Sequence, residues 1–232
     1  MKYSMLLFDA DGTLLDFDAT EKKALRNTFA IYGYPFTPEM ELRYQEINHN
    51  LWAAYEDGKI SRETVIYTRF KNLFDEFGID DDGIGFEDVY QKQLGRGHDL
   101  IPHAMEIIQS LHGKVNMCIV TNGVTETQYS RLRDSGLDKY FDKIFVSGEI
   151  GYQKPDPAYF SYCFEHMPEV DKNEVLLIGD SLSSDMLGGY NFHIDTCWYN
   201  PKEKKNEKNL PITYEIKDLR DLYQILGIEV KG

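Results

Sequence analysis

Two carboxylates one residue apart, Asp9 and Asp11, follow directly on the apolar run MLLF in the segment FDADGT, residues 8–13. Side chains two positions apart in an extended segment face the same way, and like charges so placed repel one another unless a cation lies beside them. Gly12 permits a tight turn and Thr13 adds a hydroxyl. Matching groups recur at the ends of three other stretches. VTNG supplies the Thr121 hydroxyl, the Asn122 amide and a flexible Gly123, which together with backbone N–H groups could hold the oxygens of an anion. GYQKPDP fixes Lys154 in a proline-flanked turn, and IGDSLSSD brings Asp180 and, five residues on, Asp185.

Four carboxylates and one ammonium sum to about −3, so a phosphate dianion would be repelled without a divalent cation. Oxygen-only donors favour Mg²⁺ over zinc or copper. With a cation and a lysine in place a carboxylate can attack phosphorus, which is metal-assisted phosphoryl transfer through an aspartyl phosphate. The chain carries no GxxxxGK[ST] loop, no HExxH and no cysteine-rich zinc spacing. Each stretch taken alone also fits a structural turn, and DADG matches a fragment of a calcium loop. LLDF follows where that loop needs further oxygen ligands. The succession of the stretches at strand ends is what favours a site.

Such a site needs a scaffold that gathers distant strand ends at one edge. Short apolar runs at 5–8, 115–120, 144–146, 175–178 and 194–198 suit buried parallel strands, and helical patterns at 102–111, 125–135, 157–166 and 184–191 alternate with them. This predicts an α/β fold, a parallel sheet covered by helices on both faces, with ligands beyond the carboxyl ends of the strands. One connection is much longer and helical throughout, with candidate helices at 20–32, 37–57, 61–77 and 85–95. Pro38 suits a first helical position, and Glu63 gives an acidic first turn. Its aromatic residues, among them Tyr44, Phe70 and Phe74, are expected to form a helix-bundle core. The expected division is a core of residues 1–16 and 100–232 with an inserted helical cap at 17–99. In the tail, PKEKKNEKN reads as a solvated loop, followed by a strand near Tyr214 and a helix over 218–226.

The formal net charge of −14, from 39 acidic and 25 basic residues, disfavours a nucleic acid polymer as partner. Cys118, Cys163 and Cys197 form no CxxC pair and read as reduced core residues of a cytoplasmic protein. No stretch of about 18 apolar residues is present, so no membrane association is expected.

DADGT at 9–13, TNG at 121–123, KPDP at 154–157 and GDSLSSD at 179–185 together resemble the haloacid dehalogenase (HAD) superfamily across essentially the whole chain. The resemblance implies a HAD-like Rossmannoid sheet with an inserted α-helical cap of the C1 type. It implies that Asp9 is the nucleophile and Asp11 the acid/base, that Thr121, Asn122 and the neighbouring backbone bind phosphate, and that Lys154 pairs with nucleophile and phosphate. Mg²⁺ is expected on Asp9, the backbone carbonyl of Asp11, and Asp180, with Asp185 orienting the site. Dehalogenase and phosphonatase branches are expected to lack the second acid, so Asp11 points to phosphate monoester hydrolysis, in which a leaving alkoxide needs a proton.

Within the superfamily the chain is similar to bacterial pyrimidine 5′-nucleotidases through NHNLWAAYEDGKIS, GLDKYFDKIFVSGEIGYQKPDP and TCWYN. That likeness implies a nucleoside monophosphate such as UMP, dUMP or dTMP as substrate, with Trp52, Tyr55 and Phe17 as candidates for stacking on its base. A sugar phosphate or phosphoglycolate phosphatase, a phosphomutase and a non-catalytic binding module are the alternatives.

Overall fold

In the computed structural model, which describes residues 2–228, the apolar run Met5–Phe8 forms the central strand β1, buried on both faces. The chain then passes through four helices, α1 (Phe17–Tyr32), α2 (Pro38–Glu56), α3 (Arg62–Phe77) and α4 (Ile84–Gly95). It continues as α5 (Ala104–Leu111), β2 (Asn116–Thr121), α6 (Thr125–Ser135), β3 (Lys143–Val146), α7 (Ser147–Ile150) and α8 (Pro157–His166). The last elements are β4 (Val175–Gly179), α9 (Leu187–Phe192), β5 (Asp195–Tyr199), β6 (Tyr214–Ile216) and α10 (Asp221–Leu226). The strands lie in the order β3-β2-β1-β4-β5-β6, and every pairing is parallel. This is a Rossmannoid sheet with flanking helices and an inserted helical subdomain, the architecture that the sequence resemblance implies.

Register determines where the polar groups emerge. Phe8 pairs with Ile119 on one side and Ile178 on the other, so Asp9 and Asp11, Thr121 and Asp180 all leave the sheet at its carboxyl edge. β1 sits where the strand order reverses, and there the connections diverge and open a crevice. Alternate residues feed two cores. Leu6, Phe8, Met117, Ile119, Leu176 and Ile178 pack with Ile107, Ile108 and Leu111 of α5. Met5, Leu7, Cys118, Val120, Val175 and Leu177 pack with Tyr159, Phe160 and Cys163 of α8. All three cysteines are buried and free.

The chain divides into two units, Met1–Phe17 with His98–Gly232, and Asp18–Gly97. In the first, the outgoing and returning segments pair: Asp16 N donates to Asp99 O at 2.9 Å and Ile101 N to Leu14 O at 2.9 Å. In the second, Thr37 and Ser61 cap α2 and α3, accepting from Met40 N and Thr64 N at 3.2 Å each. Phe29, Phe70, Phe74 and Phe86 form its aromatic core. Beside them a buried Arg69–Glu87 ion pair continues through Asn48 to Glu21. Tyr55 is buried and Trp52 half-buried, their rings 5.6 Å apart edge to face.

Two elements depart from the periodicity. The helix expected over 184–191 begins instead as a wide π turn, Leu182–Met186, because the Ser181 hydroxyl accepts from Ser184 N and the Asp185 carboxylate folds back onto Ser181 N. The last helix starts at Asp221, whose carboxylate accepts from the N–H groups of Lys217 and Asp218 and holds them in a turn. Among the described residues, no helix is long and apolar enough to cross a membrane.

Candidate active site

Asp9 extends β1 by one residue, its N–H bonded to Ile178 O at 2.9 Å, and its side chain is nearly buried. Lys154 reaches it from the loop between α7 and α8. The ammonium donates to Asp9 Oδ1 at 2.7 Å, to Asp185 Oδ1 at 2.6 Å and to Val120 O at 2.8 Å, so each of its three hydrogens has an acceptor. The loop that carries it is fixed from β2. Asn122 Nδ2 donates to Lys154 O at 2.8 Å, and Lys154 N donates to Asn122 Oδ1 at 2.9 Å. The Asn122 side chain, expected to hold anion oxygens, therefore has both polar atoms engaged with the Lys154 backbone, so that its second Nδ2 hydrogen and its own N–H are the donors that can face an anion.

Asp185 is fully buried and its second oxygen accepts from Ser181 N at 3.1 Å. Gly179 makes that position possible, because a Cβ there would lie 2.3 Å from Asp185 Cγ. Gly179→Ala is accordingly expected to push Asp185 off Lys154 and to destabilise the fold by about 2–4 kcal/mol, read from denaturant midpoints. Unchanged stability would show that Asp185 can move at no cost.

One carboxylate oxygen each from Asp9, Asp180 and Asp185 lies within 4.8 Å of the others. Burial raises the Asp180 carboxyl, with help from Asp185 and against the pull of Lys204 and Lys154, to about 7. Burial likewise raises Asp9 well above the carboxylate range, Lys154 opposing and Asp185 and Asp180 reinforcing. Burial works against the Lys154 charge, but Asp185 and Asp9 outweigh it and hold the ammonium above the usual lysine range. A buried, oxygen-only set with more negative charge than its one lysine can balance fits a hard divalent cation such as Mg²⁺.

That fit has a pH signature. Asp180 titrates near 7 in the fold and near 4 when unfolded, so between those values the folded state holds the extra proton and stability falls as pH rises. A divalent cation held by Asp180 would take the place of that proton. The rise in Tm on adding Mg²⁺ to metal-free protein is expected to be several degrees larger at about pH 8 than at about pH 5. Equal shifts at the two pH values would remove Asp180 from the ligand set.

Asp11 faces elsewhere. One of its oxygens pairs with Arg131 Nη1, and the other accepts from Gln128 Nε2 at 2.7 Å. The same Gln128 nitrogen lies 2.7 Å from Thr121 Oγ1, which also accepts from Gly123 N at 3.2 Å. Both α6 residues are buried, and Phe17 lies against the Arg131 guanidinium at 5.6 Å. Arg131 and Gln128 escaped the sequence reading. Counting Arg131 lowers the charge excess of the whole cluster from about −3 to about −2. The available signal was a glutamine and an arginine three apart on the face that α6 turns to the sheet, alongside Leu132, where apolar residues are the rule.

Residues 6–199 match the family described as haloacid dehalogenase-like hydrolase. The chain is 47% identical over 228 residues to the HAD-hydrolase YfnB of Bacillus subtilis, covering 98% of this chain and 97% of YfnB. It is 37% identical to the pyrimidine 5′-nucleotidase PynA of Streptococcus pneumoniae, over 97% of this chain and 96% of PynA. With the pyrimidine 5′-nucleotidase YjjG of Escherichia coli the identity is 30%, over 97% of this chain and 99% of YjjG. A crystal structure of YfnB bound to magnesium superposes with a TM-score of 0.94 at 46% identity, covering 98% of this chain and all of that one.

Proposed function

The chain belongs to the haloacid dehalogenase-like hydrolase family, and from that premise we propose that it is a Mg²⁺-dependent phosphomonoesterase that hydrolyses pyrimidine nucleoside 5′-monophosphates through an aspartyl phosphate on Asp9. The observation that carries the chemistry is the buried grouping of Asp9, Asp180 and Asp185 around Lys154. Asp9 and Asp180, with the Asp11 backbone carbonyl, would hold Mg²⁺, which when bound neutralises phosphate charge and polarises the phosphoryl oxygens.

An Asp9 oxygen attacks phosphorus and the bond to the leaving oxygen breaks, while Asp11 delivers a proton to that oxygen. Asp11 then takes a proton from water, whose oxygen attacks phosphorus and breaks the Asp9–phosphorus link. Lys154 balances the charge of Asp9 and is held in place by Asp185 and Asn122. The Thr121 hydroxyl and the N–H group of Asn122 receive the phosphate oxygens ahead of α6, whose first turn has no side-chain cap among the described residues. The inserted helical unit carries the selectivity for the leaving group.

The pyrimidine preference rests on the likeness to PynA and YjjG. Three buried free thiols fit a reducing, cytoplasmic setting. Inorganic phosphate release across UMP, dUMP, dTMP, purine monophosphates, sugar phosphates and phosphoglycolate tests the proposal. The expected result is the highest kcat/KM on pyrimidine monophosphates and loss of activity on chelation. Equal turnover of purine and sugar phosphates removes the base preference, and no phosphate release from any substrate with Mg²⁺ present removes the reaction class.

A further inference from the structure

We infer that Arg131 and Gln128 are positioning residues for leaving-group protonation, a clamp on α6 that holds the plane of the Asp11 carboxylate. The inference rests on the phosphomonoesterase reading above. Its geometry is independent of the metal cluster. Arg131 pairs with one Asp11 oxygen and Gln128 with the other, so rotation of the carboxylate in either direction breaks a hydrogen bond. Asp11 is 28% exposed while Arg131 is 1% exposed, so the acid meets solvent from a support that does not.

Two further contacts bind the clamp together. Arg131 Nη1 lies 3.5 Å from Gln128 Oε1, and Gln128 Nε2 lies 2.7 Å from Thr121 Oγ1. Gln128 thereby ties the proton donor to the hydroxyl that is to receive the phosphate, and fixes the one relative to the other. Gly123 leaves the space for it, since a Cβ at that position would lie 2.3 Å from Gln128 Nε2. Neither clamp residue exchanges a proton: the guanidinium stays charged and the amide stays neutral. The proton moves only from Asp11 to the departing alkoxide, and later from water back to Asp11.

A clamp that serves protonation matters in proportion to how much the leaving group needs the proton. The test compares kcat/KM, which reports the steps up to leaving-group departure, on an alkyl phosphate (dTMP) and on p-nitrophenyl phosphate, whose phenolate leaves with little help. Arg131→Met is expected to lose about 100-fold on dTMP and under about 5-fold on p-nitrophenyl phosphate, Gln128→Met about 10-fold and under about 3-fold. Asp11→Asn should show the same bias more strongly, and Arg131→Lys should recover part of the dTMP rate. Folding is checked by circular dichroism, and if Arg131→Met does not fold, Gln128→Met decides. Equal losses on both substrates, or an unchanged dTMP rate, overturn the clamp while leaving the phosphatase standing. If wild type turns over another alkyl phosphate of the panel better, that ester takes the place of dTMP in the comparison; wild-type protein that releases phosphate from no substrate overturns the phosphatase reading, and the clamp with it.

Discussion

Asp9→Asn is expected to be folded and to release no measurable phosphate, with turnover reduced by at least about 10⁴-fold. An amide oxygen cannot serve as the nucleophile that forms the phosphoryl intermediate, so the loss is in kcat and persists at saturating substrate. The fold should tolerate the change because the asparagine oxygen can still accept from Lys154, which also keeps Asp185 and Val120 O. Removing one of several crowded buried negative charges offsets the loss of the ion pair, and stability should stay within about 1–2 kcal/mol of wild type. Steady-state assays and a denaturant curve on one preparation check both halves. A rate above about one hundredth of wild type would transfer the nucleophile's role to another residue.

Lys154→Met should do the opposite to stability. The ammonium is the shared partner of two buried carboxylates, and its loss leaves Asp9 and Asp185 facing each other and Asp180 without it. Stranding buried charge costs about 3–5 kcal/mol, and activity should fall by at least about 10³-fold. The pH dependence separates this from simple cavity formation. With Lys154 gone, burial and the carboxylate neighbours that already raise Asp9 act unopposed. The folded state then holds protons that the unfolded state releases, and the variant loses stability relative to wild type as pH rises from about 5 to 8. Thermal melts at the two pH values would show it, and a pH-independent deficit would assign the loss to packing alone.

How much of this could be read from residues follows from the range of the interactions. Asp9 and Asp180 follow directly on strand ends, where a carboxylate after an apolar run has few other reasons to be, and Lys154 and Asp185 lie on short motifs in the loop and turn that come after β3 and β4. The parallel sheet was readable for the same reason, since strands buried on both faces leave unbroken apolar runs. Arg131 and Gln128 sit inside a helix whose other positions are ordinary, and their meaning depends on a carboxylate more than a hundred residues away. Asn122 shows the converse. Its type suggested a ligand contact, but its amide is the size of a peptide group and matches the Lys154 backbone at both ends. The π turn at Leu182–Met186 was hidden because periodicity cannot tell a wide turn from the first turn of a helix.

The paired segments at Asp16–Asp99 and Leu14–Ile101 bear on how such a protein can change. They bring the two ends of the 18–97 stretch side by side within the sheet-bearing unit, so the strands are indifferent to the length or content of what is spliced between them. In genetic terms that stretch is a cassette with abutting ends. A recombination event, or a graft made at the bench, could exchange it whole and alter which molecules are accepted, while the residues that break the phosphate bond stay in register.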